Sequence, residues 1–112
     1  MIYEPFEVVE VPFPFSDSKK TKIRKALVLS AKAYNDENKV TTLLMITSAN
    51  YSQWKGDVHL THWQEAGLKK PCFARMKFFS IDNGIIISRI GRLSGKDQLS
   101  VTRAIVEHFN LP

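Results

Sequence analysis

Apolar residues recur in short segments that are separated by turn-forming residues along most of the chain. Residues 6–13, 24–30 and 40–47 are rich in β-branched and aromatic side chains, which favours strands. Residues 43–46 are apolar at every position, so the third strand is predicted to lie at the centre of the core. Residues 57–60, 72–79 and 85–92 give three further strand predictions.

Turn chemistry joins these segments. Residues 34–38 contain two Asn and one Asp, and they predict a turn. The pair Asn83–Gly84 is a strong hairpin signal and predicts that the strands on either side of it pair with each other. Residues 61–66 predict a single helical turn closed by Gly67.

One long helix is predicted at the C-terminal end. Ser94 can cap its first turn, and Asn110 marks its stop. Val101, Ile105 and Phe109 recur with helical spacing and predict a face packed on the sheet, which Leu99 and Val106 widen. The chain is therefore predicted to be a mainly β protein, a small bent barrel or sandwich of short antiparallel strands with a C-terminal helix, forming one domain over residues 1–112.

Composition narrows the class of protein. The 112 residues are 44% hydrophobic and 24% charged, which excludes a disordered or low-complexity chain. No apolar run approaches the roughly 20 residues that cross a bilayer, and the N-terminus lacks a secretory pattern. A single cysteine, Cys72, excludes an internal disulfide and multi-cysteine metal sites. We expect a cytoplasmic protein with no membrane partner.

Positive charge is concentrated in one part of the sequence. Sixteen Lys and Arg against eleven Asp and Glu give a net charge of +5, which favours a polyanionic partner. Residues 14–23 are predicted to form an exposed loop that carries Lys19, Lys20 and Lys22. Arg24 follows where the chain re-enters the sheet, so its guanidinium could hold a phosphate while the strand fixes it. A solvated, flexible loop is the alternative interpretation.

Hydroxyl, basic and aromatic side chains supply further candidates. Thr47 and Ser48 end the third strand, where hydroxyls usually bond to turn backbone; pairing with the second strand would instead bring them to Arg24 as a small oxyanion site. Arg75 and Lys77 share one parity of a strand that also contains phenylalanines, a combination suited to single-stranded nucleic acid. Most of these phenylalanines are equally consistent with core positions, and Trp54 is the better candidate for stacking on a base.

Metal binding and thiol chemistry have little support in the sequence. His59 and His62 have no acidic or thiolate partners at ligand spacing, so we predict no metal site. No base can be named beside Cys72, and an unpaired cysteine is usually buried.

Several sequence segments resemble the PemK/MazF family of toxin endoribonucleases. They are VEVPFPF at residues 9–15, RKALVLS at 24–30, MITS at 45–48, AGLKKP at 66–71, RMKFFSID at 75–82 and IGRLS at 90–94. Their order and spacing follow those of the family over nearly the whole chain. Each segment is short, and it is their joint order that carries the resemblance.

The resemblance implies an SH3-like barrel of the MazF/CcdB type that forms a homodimer. It also implies a ribosome-independent mRNA interferase that cuts single-stranded RNA by metal-free attack of the ribose 2′-hydroxyl, uses no cofactor and is neutralised by a cognate antitoxin. The family's catalytic arginine and threonine correspond to Arg24 and Thr47. Substrate-binding positions correspond to Ser18, Ser48 and Arg75, and we add the neighbouring lysines Lys19, Lys20, Lys22 and Lys77.

The sequence departs from the family pattern at two positions that bear on function. Lys25 follows Arg24 where relatives carry proline, and Met76 with Lys77 stands where some relatives carry an acidic proton acceptor. Two alternative functions therefore stay open. One is a catalytically degenerate nucleic-acid-binding SH3-like module, and the other is a gyrase-binding toxin of the CcdB type, for which a tryptophan near the C-terminus would be expected.

Overall fold

The computed structural model describes residues 1–14, 22–50 and 53–112, and within them six strands form one antiparallel sheet. A short helix, α1, follows the second strand, a 3-10 turn spans Asn83–Ile85, and a longer helix, α2, ends the fold. The bounds are β1 Glu7–Phe13, β2 Lys22–Val28, α1 Lys32–Asn38, β3 Val40–Ser48, β4 Val58–His59, β5 Cys72–Asp82, β6 Ser88–Arg92 and α2 Gly95–Phe109.

The sheet has the order β4-β5-β3-β2-β1-β6 and is curled into a half-barrel. The prediction of a mainly antiparallel β fold with a C-terminal helix is confirmed. The third strand lies inside the sheet, as its apolar run predicted, and pairs with β2 on one side and β5 on the other. The second strand begins at Lys22 rather than at residue 24.

Both faces of the curled sheet are covered by apolar side chains. One buried cluster includes Val8, Leu27 and Leu44, and the other includes Val9 and Val28. Neighbouring residues of β1 thus belong to different clusters, as the two-residue period of a strand requires.

The C-terminal helix packs on the first of these clusters through part of its apolar stripe. Val101 is fully buried and Ile105 is partly buried against the cluster. The prediction that the stripe packs on the sheet holds in part: the Phe109 ring lies 5.0 Å from that of Phe78 on β5, although about half of the surface of Leu99 and Phe109 is exposed. None of the helices in the described ranges is long and apolar enough to cross a membrane.

Two local predictions are wrong. Residues 34–38 belong to α1 instead of a turn. Asn83–Gly84 lies in the 3-10 turn and does not form a hairpin, because β6 pairs with β1 whereas β5 pairs with β3 and β4.

Candidate functional site

The site forms where β2 begins and β3 ends. The first three residues of β2 are exposed and its last three are buried, so the strand runs from solvent into the core. Lys25 pairs with Ile46 in the antiparallel register. This is the last pair of the β2–β3 ladder, and Arg24 and Thr47 lie next to it, one on each strand.

Both side chains line a cavity of about 470 Å³ at this edge of the sheet. Six of its lining residues are basic, and no Asp or Glu lines it among the described residues. The basic residues are Arg24, Lys25, Lys69, Lys70, Arg75 and Lys77. A concave surface with several cations and no anion concentrates negative ligands.

Five of the site residues predicted from the sequence line this cavity: Arg24, Thr47, Ser48, Arg75 and Lys77. Lys22 is exposed at the start of β2 and is not among the lining residues. The remaining three predicted residues, Ser18, Lys19 and Lys20, lie outside the described residues, as does most of the predicted loop 14–23.

Lys25 is held by a carboxylate that the sequence analysis did not identify. Its Nζ donates a hydrogen bond to Glu10 Oε2 at 2.9 Å, and Ser88 Oγ donates to the other oxygen at 2.9 Å. These two hydrogen bonds lower the pKa of Glu10, and the one from Lys25 has the larger effect. Glu10 and Lys25 face each other across β1 and β2. The signal available in the sequence was their opposite charge on two strands predicted to follow each other.

Arg75 is held by a second carboxylate, Asp57, which sequence reasoning also missed. Arg75 Nε and Nη2 donate hydrogen bonds to the two oxygens of Asp57 at 3.1 and 2.8 Å. The side chain of Asp57 is 1% exposed and that of Arg75 13%. Burial alone would raise the pKa of Asp57, but the hydrogen bonds from Arg75 and from the backbone N–H of Trp54 outweigh it and lower the pKa.

Trp54 completes this group at the rim of the cavity. The Cζ atom of Arg75 lies 4.3 Å from the centroid of the Trp54 ring, which is cation–π geometry. The tryptophan is nevertheless 49% exposed and lines the cavity. Of the predicted aromatic candidates, Phe73 is buried, whereas Phe78 and Phe79 are partly buried.

The thiol of Cys72 is poorly suited to act as a nucleophile. Burial raises its pKa, although nearby Lys70 and Lys25 act in the opposite direction. Its Sγ donates a hydrogen bond to the carbonyl oxygen of Lys70 at 3.3 Å. The thiol is therefore protonated at neutral pH, in agreement with its predicted burial.

The two histidines considered from the sequence have structural contacts. His59 packs edge-on against Phe73, and His62 Nδ1 lies 2.7 Å from Ser94 Oγ. In the described part of the chain, no three side chains of the His, Cys, Asp and Glu types lie together in a way that could hold a metal ion.

The fold and cavity together define a small curled antiparallel β protein with a cationic site at the open ends of its central strands, a class suited to polyanionic ligands. The chain belongs to the family of PemK-like, MazF-like toxins of type II toxin–antitoxin systems, whose family model matches residues 4–109. No curated protein sequence matches the chain.

Solved structures of the same fold include toxins from two bacterial groups. The MazE–MazF complex of Deinococcus radiodurans has a TM-score of 0.79 at 16% identity and covers 100% of both chains. The Mycobacterium tuberculosis toxin MazF-mt6 has a TM-score of 0.75 at 18% identity, covering 95% of this chain and 98% of its own. An endoribonuclease in complex with its cognate antitoxin from a Mycobacterial species has a TM-score of 0.75 at 10% identity. The match covers 99% of this chain and 96% of that endoribonuclease.

Proposed function

We propose that this protein is a ribosome-independent endoribonuclease toxin that cleaves single-stranded mRNA in the cytoplasm. The observation that carries the proposal is that Arg24 and Thr47, each next to the last pair of the β2–β3 ladder, both line one cationic cavity. Membership in the MazF-like toxin family supports it, and so does the likeness to a structure described as an endoribonuclease with its antitoxin.

The proposed reaction uses the ribose 2′-hydroxyl as the nucleophile. Its oxygen attacks the adjacent phosphorus and loses its proton, the bond from phosphorus to the 5′-oxygen breaks, and that oxygen takes up a proton. The products are a 2′,3′-cyclic phosphate and a free 5′-hydroxyl. Because the nucleophile belongs to the substrate, this route needs no metal-bound water and is expected to proceed in a chelator.

Arg24 and Thr47 have distinct roles in this proposal. The Arg24 guanidinium neutralises the negative charge that grows on the phosphoryl oxygens, which its planar fork can contact with two hydrogen bonds. The hydroxyl of Thr47 donates to a non-bridging oxygen, and Ser48 supports the same contact. Lys77 and Arg75 line the cavity further along β5 and extend its positive surface.

The test is an RNA cleavage assay in chelator with end mapping of the products. Arg24→Ala and Thr47→Ala are each expected to slow cleavage by ~10²- to 10³-fold or more, since losing a transition-state donor has this effect. Thr47→Ser retains the hydroxyl and is expected to retain activity. Arg103→Ala, an exposed arginine of α2 away from the cavity, is the matched control and should cleave normally.

The same assay separates the two alternative functions. A binding-only module would hold RNA without producing 2′,3′-cyclic ends, and a gyrase-binding toxin would neither hold nor cut it. The family assignment favours neither alternative. A fully active Arg24→Ala protein would contradict the assigned chemistry.

The proposal includes two protein partners, a second copy of the chain and a cognate antitoxin. Solved relatives that are complexes of toxin and antitoxin support the second. Apolar side chains exposed at the end of α2, among them Val106, Phe109 and Leu111, provide surface that a partner could cover. Light scattering of the purified chain, alone and co-expressed with the protein encoded beside it, measures both associations.

A further inference from the structure

The cavity rim carries a group of three residues that fix one another: Trp54, Asp57 and Arg75. The backbone N–H of Trp54 donates to Asp57 Oδ2 at 2.8 Å, and the backbone N–H of Asp57 donates to the Trp54 carbonyl oxygen at 3.1 Å. These bonds close a tight turn, in which Gly56 adopts a φ of +96°. Glycine adopts this left-handed conformation without strain.

Asp57 fixes the turn and Arg75 at the same time. Its carboxylate accepts three hydrogen bonds, two from the guanidinium and one from the turn backbone. The two charges are nearly buried and neutralise each other. Removing two charges from water costs free energy, and their attraction offsets this cost only when the geometry is good. Here the geometry is bidentate.

The ring of Trp54 is thereby fixed without being buried. Arg75 lies over the ring at 4.3 Å, yet 49% of the residue's surface is exposed to the cavity side and solvent. An isolated exposed apolar side chain needs no explanation. The Trp54 ring differs from such a case, because the nearly buried Arg75 contacts it and Asp57 bonds the backbone that carries it. Its position at the edge of the cationic cavity is therefore fixed before a ligand binds.

We propose that Trp54 is the surface on which an unpaired base of the RNA substrate stacks, with Asp57 as a positioning residue that acts through Arg75. The inference rests on the proposed function and adds a base contact to it. Every nucleobase has a flat face that can stack on an aromatic ring, and a ring that is held in place loses little freedom on binding. Arg75 is then primarily the support of the ring rather than a phosphate ligand.

The experiment compares two uncleavable single strands of equal length and charge. One is a 2′-O-methyl oligonucleotide of randomised sequence, and the other is an abasic sugar–phosphate oligomer. Binding is followed by the anisotropy of a fluorescent label on each strand, and contact with the ring by the fluorescence of Trp54 in a Trp63→Phe background, where Trp63 is the partly buried second tryptophan. The base-bearing strand is expected to quench Trp54 and to bind more tightly, whereas the abasic strand binds without the same quenching.

Trp54→Leu is expected to weaken binding of the base-bearing strand by about 5- to 150-fold, the range for loss of one base–aromatic stack, and to leave abasic binding unchanged. Trp54→Phe retains an aromatic face and should retain most of the affinity. A merely structural effect would weaken binding of both strands together. Equal affinity of Trp54→Leu and the parent protein for the base-bearing strand would overturn the inference.

Asp57→Asn tests the positioning role. It is expected to lower the fluorescence anisotropy of Trp54 and to weaken binding of the base-bearing strand alone. In the Trp54→Leu protein the same change should have no further effect on that binding, because Asp57 acts through the ring. An equal additional loss in the Trp54→Leu background would contradict the positioning role.

Failure of this inference differs from failure of the proposed function. If the parent protein cleaves RNA but shows no preference for base-bearing over abasic strands, only the stacking role is wrong. If it neither cleaves RNA nor binds either strand, both the proposed function and the stacking role are wrong.

Discussion

Asp57 accepts hydrogen bonds from Arg75 and from the backbone of Trp54, and these lower its pKa despite the burial that opposes them. A carboxylate whose pKa is lower in the folded state than in the unfolded chain favours folding above its unfolded value, near 3.9. That contribution decreases as the pH falls through the folded-state pKa, because the proton then binds both states.

Replacing Asp57 with Asn is therefore expected to have an effect that depends on pH. At neutral pH the free energy of unfolding should fall by roughly 3 kcal/mol, because the Arg75 charge loses its buried partner. Below about pH 4 the difference between the two proteins should shrink, since a proton then binds the carboxylate of the unfolded parent chain and, at lower pH, that of the folded parent protein. Denaturant unfolding at neutral and acidic pH measures both values.

Asp36→Asn is the matched control for this pH series. Asp36 is exposed and its carboxylate lies 3.4 Å from Lys39 in an exposed pair, which contributes little. Its substitution should change the free energy of unfolding only slightly at every pH. A pH-independent loss in Asp57→Asn would show that the carboxylate's charge does not contribute to stability.

At the level of the site, the sequence predicted the residues whose signal is local. Arg24 lies near the start of β2 and Thr47 near the end of β3, so composition and position could place them at the same edge of a sheet. Asp57 could not be found in this way, because its role depends on Arg75, 18 residues further along the chain. The pair forms only after β4 and β5 have come together in the sheet.

The N-terminus of α2 is joined to the turn at residues 61–67 through Asp97, which is fully buried. Its carboxylate oxygens accept hydrogen bonds from the backbone N–H groups of Thr61 and His62 at 2.9 and 2.8 Å. Asp97→Ala should therefore lower the free energy of unfolding by roughly 2–5 kcal/mol, because two backbone donors lose their acceptor. Denaturant unfolding monitored by circular dichroism measures this change.

Lys96→Ala is the comparison within the same helical turn. Lys96 is exposed, and its substitution should change stability by no more than about 0.5 kcal/mol. Similar losses in Asp97→Ala and Lys96→Ala would indicate that the carboxylate does not anchor the helix. The Ser94 cap of α2, by contrast, was predictable, and its Oγ accepts from the Asp97 N–H at 3.2 Å.

Local turn chemistry was misleading where an asparagine has partners far along the chain. The side-chain amide of Asn83 donates to the Asn35 carbonyl oxygen at 2.8 Å, and its oxygen accepts from Thr41 at 2.7 Å. These contacts hold Asn83 in a 3-10 turn rather than in a hairpin. Asn35 also has distant partners: it is fully buried, and its side chain donates to the carbonyl oxygens of Tyr3 and Ser30. Short-range patterns cannot predict such partners.

For the whole molecule, the net charge of +5 matters because of its distribution. Two of the six cations that line the cavity, Lys25 and Arg75, are paired with carboxylates that do not line it. Lys69, Lys70 and Lys77 are exposed there. A phosphate backbone that enters the cavity thus meets a surface of one sign, and its binding should release condensed counterions.

Affinity for single-stranded RNA is therefore expected to fall with rising salt, with a log–log slope of about −0.7 for each phosphate contacted. Lys77→Ala should reduce the magnitude of this slope by about 0.7 if its ammonium contacts one phosphate. Lys96→Ala, on α2 and outside the cavity, should leave the slope unchanged. Titration of an uncleavable 2′-O-methyl strand at several salt concentrations measures all three slopes. A slope near zero, or equal changes in both variants, would exclude the cavity as the path of the phosphate backbone.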